Sequence, residues 1–131
     1  MNAARIIIQA GYDVERLRRS LAPVDIDSVN VWPASRWLRS LWRPGVKGVT
    51  QGRWVFVDPV LFDDRERLAR LVIHELVHVR QFAIHGYVRF MLSYILGYLR
   101  GRRSGLAPRD AYLAIPAEQE ARELTNLLTS T

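Results

Sequence analysis

The residues best suited to chemistry form one short segment, His74-Glu75-Leu76-Val77-His78, near the middle of the 131-residue chain. On an α-helix, residues four apart lie on the same face, so the two imidazoles can bind the same metal ion. Glu75 projects about 100° away from His74, so its carboxylate can reach a metal-bound water without becoming a ligand. Zinc lowers the pKa of such a water to about 7, and Glu75 can take its proton as the water attacks a carbonyl carbon.

This segment is specific, but it is incomplete as a catalytic zinc site. A chance match in a chain of this composition has a probability of about 0.3%. A catalytic zinc ion usually has three protein ligands besides water. In the metzincin type of site the third ligand is a histidine six residues after the second one, but that position is Ile84 here. His85 lies about 10 Å further along the helix axis than His78, too far to bind the same ion.

A carboxylate from a later helix is the other source of a third ligand. Four acidic residues follow the HExxH segment, namely Asp110, Glu118, Glu120 and Glu123. The three glutamates lie in a segment for which Pro116 predicts the start of a helix. Glu120 and Glu123 share a helical face, and Glu118 points elsewhere. Acids in a first helical turn are also favoured by the helix dipole alone. The residues themselves therefore leave open which glutamate completes the site.

Two segments together, His74–Gln81 and Ile115–Ala121, resemble the gluzincin metallopeptidases. The similarity is to their minimal single-domain members, the minigluzincins, and to the peptidase-like domain of contractile-injection-system proteins. It covers residues 53–124, about half of the chain, and its HExxH element is more specific than its glutamate element. The chain departs from some of these small proteins at Arg70, where they carry an acid.

The resemblance implies a role for each matching residue. It implies that His74, His78 and Glu120 bind zinc, and that Glu75 is the general base. Glu123 would hold a ligating histidine in one tautomer.

The resemblance further implies two elements around the cleft. One is an upper strand on which an extended substrate pairs, for which residues 53–57 are the candidate. The other is a donor to the developing oxyanion, for which Tyr112 is the candidate.

The hydrophobic pattern indicates the elements that position these residues. A long helix begins at Asp63 or Asp64 and ends at Gly86. A second helix follows over residues 87–100 and is apolar nearly all round, so we expect it to be buried. A strand at residues 29–32 and a hairpin at residues 46–57 precede them. The expected fold is α+β and zincin-like, with a small antiparallel or mixed sheet packed on the HExxH helix and a largely helical C-terminal half.

Length and composition indicate one domain over residues 1–131. Residues 1–45 would supply N-terminal helices, at residues 12–21 and 35–42, and a strand. Residues 46–131 would supply the hairpin, the HExxH helix and the glutamate helix. With no cysteine in the chain, a disulfide scaffold, a thiolate zinc finger, an iron–sulfur site and a cysteine nucleophile are excluded. A metal would therefore be held by histidine and carboxylate.

The chain has a net charge of +6, with 18 arginines and one lysine. Such a charge raises the chance of an anionic partner, such as a nucleic acid or a lipid surface. The arginines are scattered along the chain, so we expect no specific nucleic-acid partner and do not favour a membrane surface. With no convincing targeting segment or membrane span, we expect a cytoplasmic protein. We also expect it to be a monomer.

The leading hypothesis is a zinc metallopeptidase, or a peptidase-like protein, acting on peptides or unfolded proteins. One alternative is a non-catalytic binding module for a protein, nucleic-acid or membrane-surface partner with a vestigial metal site. Another is a peptidase kept latent by its termini or by the loop at residues 101–107.

Overall fold

The structure, a computed structural model, describes residues 1–42 and 45–130. Its helices are α1 (Ala3–Gln9), α2 (Val14–Ser20), α3 (Arg36–Ser40), α4 (Arg65–His85), α5 (Tyr87–Arg103), α6 (Pro108–Leu113) and α7 (Pro116–Thr129). Its strands are β1 (Val31–Pro33), β2 (Gly48–Gln51) and β3 (Trp54–Val57), and short 3-10 helices cover Ile26–Ser28 and Pro59–Asp63. The predicted α+β fold, with a small mixed sheet and a helical C-terminal half, is confirmed. The expected division after residue 45 adjoins residues 43 and 44, which lie outside the described residues.

Helix α4 is the central element, and its ends follow local rules. The Asp64 side chain accepts a hydrogen bond from the backbone N–H of Arg67 and so caps the first turn. The helix stops at Gly86, whose φ of 81° is a left-handed value that glycine adopts without strain. Both ends agree with the sequence prediction. The side of α4 that packs on α1, α7 and the sheet is apolar and buried, and includes Leu68, Ala69, Val72, Ile73, Leu76 and Val77.

The sheet has β3 in its centre, with β1 parallel on one side and β2 antiparallel on the other. Val55 and Val57 are buried while Trp54 is exposed, as the alternation of a strand requires. The expectation that residues 53–57 offer an open edge to a substrate is wrong, because both sides of β3 are already paired. Within the described residues β2 pairs with β3 alone, so the open edge nearest to α4 belongs to β2.

Helix α5 differs from the sequence expectation of a buried helix. Only Phe90 and Gly101 of this helix are buried. One side packs against α4, α6 and α7, and the apolar residues of the other side are about half exposed or more: Val88, Leu92, Ile95, Leu96 and Leu99. The prediction was wrong because an all-round apolar pattern does not show how many neighbours a helix has. None of the described helices is long and apolar enough to cross a lipid bilayer.

Candidate metal centre

The two histidines of the HExxH segment point at one carboxylate from α7. Nε2 of His78 lies 2.6 Å from Oε1 of Glu118, and Nε2 of His74 lies 3.5 Å from the same oxygen. The two imidazole rings are 5.0 Å apart between centroids and nearly perpendicular. One ligand atom from each of the three residues lies within 4.8 Å of the others. The predicted helical pairing of the two histidines is therefore present, and a later helix supplies the carboxylate.

The glutamate that reaches the histidines is Glu118, which corrects the expectation that Glu120 would do so. Glu118 is 1% exposed and shares the buried face of α7 with Ala121, Thr125 and Leu128. Ala121, Thr125 and Leu128 follow Glu118 by three, seven and ten residues, spacings that place them on the same helical face as Glu118. Glu120 lies about 200° around the helix axis from Glu118. Glu120 is exposed. The spacing of the apolar residues in α7 was the signal that could have separated the two glutamates.

Gln81 links His78 to the start of α7, a role that the sequence did not suggest. Its Oε1 lies 2.8 Å from Nδ1 of His78. Its Nε2 donates to the backbone carbonyl of Ala117 at 3.1 Å and to Oε1 of Glu120 at 3.0 Å. An acceptor at Nδ1 keeps the proton on that nitrogen, so Nε2 faces the carboxylate of Glu118 as the potential ligand atom. Gln81 thus performs the orienting task that the resemblance suggested for Glu123, which is exposed.

Glu75 is buried beside the three-residue cluster but takes no part in it. The hydroxyl of Thr50 in β2 donates to its Oε2 at 2.5 Å. Gly48, also in β2, comes so close that a Cβ at this position would lie 3.2 Å from Oε1 of Glu75. The edge strand therefore positions this carboxylate, and a larger residue at position 48 would push against it. Glu75 therefore lies beside the cluster of His74, His78 and Glu118 without being a member of it, and its role as general base stays a prediction.

The donor atoms of this cluster are of the kinds that bind a metal ion. Imidazole nitrogen and carboxylate oxygen are ordinary zinc donors. The second oxygen of Glu118, Oε2, is buried and accepts no hydrogen bond from any described residue. Leaving a buried carboxylate oxygen unsatisfied is costly, and a bound cation would remove that cost. His74, His78 and Glu118 therefore fit a zinc ion.

Without a metal, the same residues form a buried ion pair. Burial opposes protonation of His78, but its hydrogen bond with Glu118 and the charges of Glu75 and Glu118 together raise the pKa of His78 to about 9. Burial also opposes ionisation of Glu118, but its hydrogen bonds with His74 and His78 hold its pKa well below the usual range. At neutral pH the metal-free centre therefore contains a protonated His78 and an ionised Glu118.

This ion pair predicts how the stability of the metal-free protein depends on pH. Because the pKa of His78 is raised from 6.5 to about 9 on folding, its stabilising contribution is complete below pH 6.5. It is lost as the pH rises through about 9, and the expected loss is on the order of 3 kcal/mol. The measurement is urea unfolding of the chelator-treated protein at pH 6.5 and pH 9.5. The Glu118→Gln variant, which lacks the charge partner, should show a much smaller difference, and equal differences in both proteins would contradict the assignment.

Tyr112, in α6, lies between two cavities that meet at the candidate centre. One cavity has a volume of about 920 Å³ and the other about 380 Å³, and Gly48, Glu75 and Tyr112 line both of them. Burial raises the pKa of the Tyr112 phenol well above its usual value, and the negative charge of Glu118 adds to this shift. The phenol therefore remains protonated at physiological pH and can donate a hydrogen bond. This is consistent with the predicted location of Tyr112, while its catalytic role stays a prediction.

His85, the third histidine, lies at the exposed end of α4 and is not part of the cluster. Arg70, where some small gluzincins carry an acid, donates to Oδ1 of Asn126 at 3.0 Å and to Oγ1 of Thr129 at 2.6 Å. These bonds attach α4 to the far end of α7, the helix that carries Glu118.

Comparison of the chain with family models, with curated proteins and with solved structures found no match.

Proposed function

We propose that this chain is a zinc-dependent peptidase. His74, His78 and Glu118 would hold the metal, and Glu75 would act as general base. The observation that carries the proposal is the convergence of these three ligand atoms around a buried, unsatisfied carboxylate oxygen. The location of Glu75 supports the choice of a hydrolase over an idle metal site, since its buried carboxylate lines both cavities at the centre.

When bound, zinc would supply Lewis-acid activation of water and of the substrate carbonyl. Glu75 accepts the proton of the attacking water and passes it to the nitrogen of the leaving amine. The hydroxyl of Thr50 holds one oxygen of this carboxylate, which limits the rotation of the side chain. Tyr112 donates a hydrogen bond to the oxyanion that develops on the attacked carbonyl. No covalent intermediate with the protein is needed in this sequence of events.

The open edge of β2 supports a polypeptide substrate. Unpaired backbone groups on a sheet edge can bind an extended peptide as an additional strand. Thr50 of this strand donates to the Glu75 carboxylate, and a Cβ at Gly48 would lie 3.2 Å from it. A peptide paired with β2 would therefore pass next to the general base. A peptide or an unfolded protein meets this requirement, whereas a compact folded protein does not offer an extended segment.

Metal removal tests the proposal. The purified chain is expected to contain one zinc ion per molecule and to cleave an unfolded protein such as casein. Treatment with 1,10-phenanthroline should abolish cleavage, and addition of zinc should restore it, because the site depends on the metal for its Lewis acid. The measurements are elemental analysis and release of acid-soluble peptides. A chain that binds no zinc, or that cleaves equally well after chelation, would contradict the proposal.

A further inference from the structure

The larger of the two cavities has a strongly cationic lining. It has a volume of about 920 Å³ and includes His74 and Glu75, so it opens directly on the candidate centre. Five cationic side chains line it, namely Lys47, Arg67, Arg70, Arg109 and Arg122. Glu75 is the single carboxylate in this lining among the described residues. Such a concentration of one charge within a concave surface attracts anions.

The four arginine charges in this lining are not neutralised within the described part of the chain. Lys47 pairs with Asp58 at 3.6 Å, but no described carboxylate forms an ion pair with any of the four arginines. Two of the guanidinium groups are held by neutral acceptors instead. Arg70 donates to Asn126 and Thr129, and Arg122 donates to the backbone carbonyl of Leu113 at 2.6 Å. These contacts fix the position of the two groups and leave their charge available to a ligand.

The smaller cavity, on the other side of Glu75, has the opposite character. Its volume is about 380 Å³, and its lining includes no described lysine or arginine. Large apolar and aromatic residues dominate it, among them Trp42, Phe82, Phe90, Met91 and Ile95. A chain that crosses the centre would therefore meet an apolar surface on one side and arginines on the other. The difference in charge between the two sides gives the site a means of selecting its substrate.

We infer that the arginine-lined cavity binds carboxylate groups of the substrate, so that the site selects peptides with acidic groups on one side of the cleaved bond. This inference rests on the proposed function. Guanidinium groups bind carboxylates through paired, charge-assisted hydrogen bonds, and the cavity provides four of them. The carboxylates can come from aspartate and glutamate side chains or from a free C-terminus. Phosphate of a nucleic acid is a less suitable ligand, because the cavity leads to the carboxylate of Glu75 and to the open strand edge.

Peptide binding to the full-length Glu75→Gln chain, loaded with zinc, tests this inference without requiring hydrolysis. The probes are short alanine–glutamate and alanine–glutamine peptides with a neutral dye, each made with a free and with an amidated C-terminus. By fluorescence anisotropy at low salt, we expect the glutamate peptide to bind at least about tenfold more tightly than the glutamine peptide. Tighter binding of the glutamate peptide within the amidated pair assigns recognition to side-chain carboxylates. Tighter binding of the free-acid glutamine peptide than of its amidated form assigns it to the C-terminus.

Matched double variants distinguish the effect of the cavity arginines on peptide binding from the effect of the protein's net charge. Arg67→Gln with Arg109→Gln removes two cavity charges and should weaken binding of the glutamate peptide by about tenfold. Arg5→Gln with Arg103→Gln removes the same charge away from the cavity and should change it by less than about twofold. Equal effects of the two pairs of substitutions, equal binding of all four peptides, or preference for a single-stranded oligonucleotide would overturn the inference.

The outcomes also distinguish this inference from the proposed function. Cleavage of casein by the parent chain without any preference for acidic peptides would overturn this inference alone. Selective binding of the glutamate peptide without cleavage by the parent chain would support the cavity assignment and contradict the peptidase.

Discussion

Replacing Glu75 with glutamine is expected to lower the rate of peptide hydrolysis by about 10²–10⁴-fold while the zinc content stays that of the parent chain. Glutamine has nearly the same shape as glutamate, and its amide oxygen can still accept the hydrogen bond from Thr50. It cannot accept a proton from water at neutral pH, so the general base is lost. Because Glu75 lies outside the cluster of His74, His78 and Glu118, metal binding should not depend on it. Casein cleavage and elemental analysis of the same preparation provide both readouts.

Two matched variants control this experiment. Glu123→Gln replaces an exposed glutamate of α7 and should retain both activity and zinc. His78→Ala removes a proposed ligand and should lose the metal as well as the activity. If Glu75→Gln loses zinc while His78→Ala keeps it, the roles assigned to the two residues are reversed and the proposed mechanism fails.

Replacing Glu118 with glutamine is expected to weaken zinc binding by more than about 100-fold. Changes in residues that only orient a metal ligand already cost about 10–100-fold in affinity, and Glu118 is proposed as a ligand itself. Its carboxylate contacts both histidines, and a neutral amide would neither balance the metal charge nor provide two equivalent oxygens. Competition with a fluorescent zinc chelator measures the affinity at constant pH.

Glu120→Gln is the matched control for Glu118→Gln, because it makes the same chemical change two residues away. Glu120 accepts a hydrogen bond from Gln81, and the amide oxygen of a glutamine can accept that bond too. We therefore expect a change in zinc affinity of less than about tenfold. A large loss in Glu120→Gln together with normal binding in Glu118→Gln would restore Glu120 as the ligand and contradict the assignment made from the structure.

The parts of the fold that the sequence predicted well depend on short stretches of chain. The start of α4 at Asp64 and its end at Gly86 follow from a side-chain cap and a left-handed glycine. The hairpin of β2 and β3 follows from two β-rich stretches on either side of Gln51-Gly52. Each of these features is decided by neighbours within a few residues, which is why a sequence pattern is enough to find them.

The parts that the sequence predicted poorly depend on contacts between distant segments. The position of β3 in the sheet is decided by β1, which pairs with it from more than twenty residues away. The exposure of α5 depends on how many elements surround it. Helix α1 was not predicted, because Ile6 and Ile7 form a run too short to show a period, and they become buried where α1 packs on α4.

The residues of the candidate centre also fall into those that local sequence predicts and those that depend on contacts between distant segments. The pair of histidines and the neighbouring Glu75 could be found from the local sequence, because one helical turn brings residues four apart onto one face. The choice of Glu118 as the proposed third ligand depends on tertiary packing. Which glutamate of α7 faces α4 depends on the rotation of α7 about its own axis, and burial of Ala121, Thr125 and Leu128 directs Glu118 inward. The fixing of His78 by Gln81 depends on the same packing, since the amide of Gln81 also binds the first turn of α7.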